Sequence, residues 1–363
     1  MKKHSMKFVA LLLVASLVAM LLAACGGNNN APAGGTTSST PPSSSTSSET
    51  SSGDASGGEV LELKLGHNVA ASGITGEQYH AFAEAVAKES GGTIKVTEYT
   101  AGSLITDTQA LDAMMDGTCD FAHGMVSYLD GVIKDLVPLE VPGYYSGDDF
   151  MAFSDGVQEI LEDIFADYGV KFLGCNYQGQ AAFVSPTKQI LSPADLQGMS
   201  VRASGTYIGK AVQNWGGAPT TISLPDLTTA LERKTVDAAY TGWTVVGSFK
   251  LYEMAPYVTI TSITESFGCL MMSMKTWDSL TPDQQAAIER AAESWRQETY
   301  DIGLEFRQQY IDEMTAGGAT VVELSAEETQ PFTDLSTSLY DEIEGTLGEK
   351  GQTLLDTLKE LNG

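Results

Sequence analysis

The chain has 363 residues, 42% of them hydrophobic, enough to build two cored lobes of ordinary size once a non-globular front end is set aside. Only 20 Lys and Arg stand against 47 Asp and Glu, a formal charge of −27, and this excludes a nucleic-acid partner that would have to be held through its phosphates. Cys119, Cys175 and Cys269 form no CxxC pair, and His67, His80 and His123 have no metal-ligand spacing.

In chain order, Lys2, Lys3 and Lys7 come first, followed by an apolar run over residues 8–24. Leu22-Ala23-Ala24-Cys25 then has the small-residue pattern of a lipoprotein cleavage site. A run this short is at the lower limit for crossing a bilayer. Residues 1–24 are therefore expected to be a signal peptide and Cys25 the lipidated first residue of the mature protein, tied to the membrane by its lipid. Residues 25–58 are rich in Ser, Thr, Gly, Pro and Asn, with Glu49 and Asp54 the only charges, and are expected to be a disordered tether. The folded part is then residues 59–363.

Leu61, Leu63 and Leu65 alternate with Glu62 and Lys64, which predicts a strand with Gly66-His67-Asn68 at its carboxyl end. Thr75, with Gln78 three residues on, reads as a capping box for a helix carrying Tyr79, Phe82, Ala83 and Val86 on one face and stopped by Gly91-Gly92. A strand at Ile94 and Val96, a helix over 106–116 and a strand over 119–123 complete a β-α-β-α-β rhythm. A helix over 148–168 leads into a strand over 170–175. Ser192-Pro193-Ala194-Asp195 reads as a capped helical turn, and the strand after it carries Arg202.

Beyond Arg202 the pattern predicts a helix over 206–215, an extended segment over 218–222, a helix opened at Leu224-Pro225-Asp226 with Ser223 as its cap, and a strand over 236–240 ending in Thr241-Gly242-Trp243. Thr281-Pro282-Asp283 starts a helix reaching residue 313, long enough to brace two lobes. A strand over 320–324 and a capping box at Ser325 and Glu328 precede the C-terminal helices. The fold class is α/β.

In α/β sheets ligands collect at the carboxyl ends of strands, which makes His67, Asn68, Tyr240, Thr241 and Trp243 candidates by position. Arg202 is the strongest candidate, because a strand-borne guanidinium offers a pre-oriented fork of donors that matches a carboxylate; the plainer reading is a surface salt bridge. No GxSxG elbow, phosphate loop or dinucleotide fingerprint occurs, so the chain does not read as an enzyme, and no cofactor or metal is expected.

Several stretches in matching order resemble the solute-binding proteins of TRAP transporters, the DctP-like family. They are Leu65-Gly66-His67-Asn68, Phe82-Ala83-Glu84-Ala85-Val86, Ala101-Gly102-Ser103-Leu104, the run from Asp195 to Arg202, Ala230-Leu231-Glu232 and Trp277-Asp278-Ser279-Leu280, and the likeness covers roughly residues 60–345. The resemblance implies a two-lobed periplasmic-binding-protein fold with a central cleft, lobe I over about 59–178 and 267–292 and lobe II over about 179–266 and 293–363. It also implies capture of an organic acid anion by hinge closure and delivery to a TRAP permease in the membrane. Arg202 falls at the family's carboxylate-binding arginine, Asn68 at a ligand-contacting position, and Leu224 where an aromatic residue often packs on the ligand. The chain departs from many family members in having Gly179-Gln180 where they carry a second arginine, and Thr241-Gly242 where they carry an asparagine. Gln178, Gln180 and Tyr207 are then candidates to bind the body of the ligand, and Trp243 to place an indole at the mouth. A binding lipoprotein of an ABC importer or a sensory system remains open at this point, as does, less strongly, an extracytoplasmic enzyme.

Overall fold

A computed structural model describes residues 60–361, apart from residues 146–148 and 223. The expected signal peptide, Cys25 and the tether lie outside the described residues, as do the Ser223 cap and the expected helix start at residue 148.

The elements run β1 (Leu61–Gly66), α1 (Ile74–Glu89), β2 (Ile94–Tyr99), α2 (Ala110–Asp116), β3 (Phe121–Met125), α3 (Val126–Leu129), a 3-10 segment (Lys134–Glu140), α4 (Phe150–Ala166) and β4 (Val170–Ser185). A 3-10 turn (Pro193–Leu196) leads to β5 (Ser200–Ala203), α5 (Thr206–Asn214), β6 (Ala218–Thr221), α6 (Leu224–Glu232), β7 (Ala238–Gly242) and α7 (Trp243–Ser248). The chain closes with β8 (Tyr257–Ser273), α8 (Met274–Ser279), α9 (Pro282–Ala316), β9 (Thr320–Glu323), α10 (Ala326–Ser336), α11 (Ser338–Glu344) and α12 (Glu349–Leu361).

The strands form one sheet in the order β2-β1-β3-β8-β4-β7-β5-β6, with β9 also on β8. It divides into two halves around β4 and β8, which run antiparallel to each other along their whole lengths. The first part of β4 pairs with the last part of β8, with Cys175 opposite Cys269, and the parallel strands β1, β2 and β3 extend that half. The last part of β4 pairs with the first part of β8, with Val184 opposite Val258, and the parallel strands β7, β5 and β6 extend the other half. Register shifts at Tyr177/Gln180 and Gln180/Ala182 mark the change from one half to the other. Gly179 sits there at φ +70°, and a Cβ on it would lie 2.1 Å from Nε1 of Trp243, so only glycine fits both the backbone and the space.

Each half has its own aromatic core. Phe82, Phe121 and Trp295 meet edge to face on one side, and Phe183, Trp215, Tyr240 and Phe332 pack together on the other. Helix α9, capped by the Thr281–Gln284 box, packs on α1, α4, β4, α7 and β9 and so braces both halves, as expected.

Two expectations fail here. Thr75 is not a cap: Gly73 is the N-cap of α1, and Thr75 and Gln78 lie inside the helix with buried side chains committed to other elements. The strand expected over 170–175 runs ten residues further. Cys119, Cys175 and Cys269 are free and buried, packed as small apolar residues.

Candidate functional site

The parallel strands of both halves point their carboxyl ends at one cleft of about 550 Å³. From the first half come Asn68 after β1, Met125 at the end of β3, and the N-terminal turn of α1 with Thr75; from the second come Arg202, Thr241 and Tyr240. A helix N-terminus and a guanidinium bordering the same space both favour an anionic guest.

Arg202 is held by the strand chemistry that the sequence advertises. Asp195 Oδ2 accepts hydrogen bonds from the backbone N–H groups of Leu191 and Ser192, both at 3.0 Å, which fixes the turn before β5. Ser200 N–H donates to Asp237 Oδ2 at 2.9 Å and Asp237 N–H to the Ser200 carbonyl at 2.7 Å, which pins the start of β5 against β7. Arg202 then lies 2% exposed, between Ala239 and Thr220 on the flanking strands. Its Nε donates to the Ile222 carbonyl at 2.9 Å, and it forms no ion pair with a carboxylate of the described residues. Burial alone holds its guanidinium below the ordinary arginine value, offset by the nearby Tyr128 phenol. The plainer reading of a surface salt bridge therefore fails on both counts: Arg202 is not at the surface and has no acid partner there. With Nε occupied, the two terminal nitrogens form the side of the fork suited to a carboxylate.

The other candidates divide. Asn68, Gln178, Leu224, Tyr240 and Thr241 line the cleft with Arg202. Gln178 is oriented by Thr75, whose hydroxyl accepts from its Nε2 at 3.0 Å. The Tyr240 hydroxyl is 2.7 Å from that of Thr264, and burial pushes the phenol up to about 12. His67 is not in the wall but behind it, 1% exposed and stacked on Tyr79 at 5.5 Å. Trp243 opens α7 with its ring fully buried and edge-on to Tyr310, away from the mouth where an indole was expected. Gln180 faces a separate hollow with Ser262 and Glu323, and Tyr207 lies half-buried under the Lys210 ammonium.

Sequence reasoning passed over His123, Glu140 and Glu265, which also line the cleft. Glu140 did carry a signal: it is the one acid within the apolar run Leu136-Val137-Pro138-Leu139-Glu140-Val141-Pro142. Burial, reinforced by the Asp130 carboxylate, pushes its carboxyl up to about 8.

Known proteins share this architecture. The sugar acid binding protein DctPAm from Advenella mimigardefordensis, solved with galactonate, superposes with a TM-score of 0.76 at 21% identity, covering 84% of this chain and 99% of that one; at this identity the likeness is one of fold. In sequence, the C4-dicarboxylate-binding protein DctB of Bacillus subtilis is 23% identical over 296 residues, 80% of this chain and 84% of the relative. The ectoine-binding periplasmic protein TeaA of Halomonas elongata is 21% identical over 287 residues, 77% of this chain and 83% of the relative. The DctP model, bacterial extracellular solute-binding protein family 7, matches residues 65–346. A match spanning both sheet halves and the cleft between them leaves one conclusion: the chain belongs to family 7 of the bacterial extracellular solute-binding proteins, the DctP family of TRAP-type solute receptors.

Proposed function

We propose that this protein captures an organic acid through Arg202, closes its two lobes over it, and presents it to a TRAP permease. The observation that carries the reading is a cleft-lining guanidinium, 2% exposed, whose one hydrogen-bond partner among the described residues is the Ile222 carbonyl. A buried cation without an acid partner is costly to the protein alone, and an incoming carboxylate removes that cost. The relatives named for sugar acids and C4-dicarboxylates handle ligands of the same chemistry. Lobe I is taken as about 59–178 with 267–292 and lobe II as about 179–266 with 293–363. The register shifts in β4 support a hinge at that boundary, and α9 is shared between the lobes. Closure is driven by the difference in acid affinity between open and closed forms: Arg202 acts from lobe II, while Asn68 and Gln178 act from lobe I.

A thermal-shift screen of the full chain against mono-, di- and keto-carboxylates, sugar acids and amino acids checks this reading. A saturating acid at about a hundred times its Kd adds about 2.7 kcal/mol of stability, so one acid class is expected to raise Tm by several degrees while neutral polyols do not. A flat response to every acid would sink the proposal.

The lipid on Cys25 holds the receptor beside its permease in this account, a step motivated by the Leu22-Ala23-Ala24-Cys25 pattern. Fractionation tests it: the wild type is expected in the membrane fraction and Cys25→Ala displaced from the lipid-modified pool, whereas unmodified wild-type protein would contradict it.

A further inference from the structure

A cleft meant for a plain anion has little use for an acid without a counter-charge, yet this one contains the half-buried Glu140. It ends the 3-10 segment Lys134–Glu140 and lines the same cleft as Arg202 and Glu265. Among the described residues Glu140 forms no ion pair and no side-chain hydrogen bond, with Arg202 or any other group, and its carboxyl is pushed up rather than held down. Arg202 in turn responds to no carboxylate. One cleft therefore holds a cation and, not paired with it, an acid that is left without a counter-charge.

We infer that the ligand is zwitterionic, with its carboxylate on Arg202 and a cationic nitrogen on Glu140. This rests on the carboxylate reading above and narrows its ligand class to amino or imino acids. A purely anionic acid satisfies Arg202 and leaves Glu140 without a cation, whereas a zwitterion pairs its carboxylate with Arg202 and its nitrogen with Glu140, whose proton leaves to solvent.

The surroundings of Glu140 keep it from ionising until a cation arrives. The Asp130 carboxyl at the C-cap of α3, itself raised by burial and only partly relieved by Lys134, opposes its charge, and the Cys269 thiol on β8 lies within its field. Helices α5 and α12 pack on the same segment without sending it a charge that moves it. At pH 7 Glu140 is mostly protonated, so a cationic nitrogen docking on it expels that proton to solvent and leaves a carboxylate–ammonium pair.

Titration calorimetry on the full chain tests this with matched probes: α- and ω-amino acids and cyclic imino acids, each beside the hydroxy acid of the same skeleton. The best amino or imino acid is expected to bind roughly tenfold or more tighter than its hydroxy partner. It should also release about one proton per ligand at pH 7, read by comparing buffers of different ionisation enthalpy. In Glu140→Gln both the preference and the proton release disappear, while hydroxy acids still bind through Arg202. Equal binding of the two series in the wild type, or a preference that survives in Glu140→Gln, overturns the zwitterion assignment and leaves the carboxylate reading standing. Binding of either series that Arg202→Ala leaves unchanged overturns the carboxylate reading, and this inference with it.

Discussion

Replacing Arg202 by alanine is expected to weaken binding of the acid by about 2 to 5 kcal/mol, a factor of roughly 30 to several thousand in Kd. The size follows from burial. At 2% exposure the bridge to the ligand is shielded from water and salt, so it is not a surface pair of small worth. Arg202→Lys is expected to lose most of the same affinity: an ammonium cannot hold the Ile222 carbonyl and grip both carboxylate oxygens as the fork does. The unliganded Arg202→Ala protein should melt no earlier than wild type, because the change removes a buried charge that has no acid partner. Titration calorimetry with the screened acid, beside melting curves without it, checks both points. Affinity retained within threefold would mean that the carboxylate sits elsewhere.

The second large effect is on stability and falls on Gln78. Its side chain is fully buried and joins three elements: Nε2 donates to the carbonyls of Tyr177 on β4 at 2.9 Å and Thr299 on α9 at 2.8 Å, and Oε1 accepts from Asn176 Nδ2 at 2.8 Å. Gln78→Leu keeps the bulk but leaves the Asn176 amide and the Tyr177 carbonyl short of partners in a dry interior, each at a cost of about 1 to 3 kcal/mol. A total loss of about 3 kcal/mol and a drop of several degrees in Tm are expected by denaturant and thermal melts. Because Tyr177 is the last residue before the register shift in β4, the variant should also loosen the crossover, read as faster amide exchange in β4 than in wild type. A change below about 0.5 kcal/mol, the range of a neutral surface substitution, would show that this network does not hold the halves together.

Gln78 also shows where the sequence misleads. Thr75 and Gln78 have the spacing of a capping box, and the same spacing at Ser325–Glu328 and Thr281–Gln284 does form one. At α1 the cap position falls on Gly73 instead, because the apolar face of the helix turns Thr75 toward Gln178 and Gln78 toward the sheet. Spacing records which residues can cap, while burial decides which do.

The regular parts were legible. Leucine alternation gave β1, the Phe82 and Val86 stripe gave α1, and the Ser192–Asp195 turn gave the strand that carries Arg202. The long crossing strands were not. Gly179 between two glutamines reads as a loop, although β4 continues through it, and β8 breaks strict alternation with buried Thr259, Thr261 and Thr264. The site followed the same division. Strand ends located Asn68, Tyr240 and Thr241 on the cleft, but period alone does not tell which side of a wall a residue faces, and His67 and Trp243 face the core. Glu140 was invisible to strand logic because it lies on a 3-10 segment between elements.

Whether Arg202 takes the ligand's carboxylate is decided by a crystal structure of the protein with the acid that raises Tm most. Both carboxylate oxygens are expected at about 2.7 to 2.9 Å from the terminal nitrogens of Arg202, with Nε still on the Ile222 carbonyl and Asn68 or Gln178 on the body of the ligand. A ligand held in the cleft with its carboxylate on other groups, and Arg202 bonded to Ile222 alone, would contradict it.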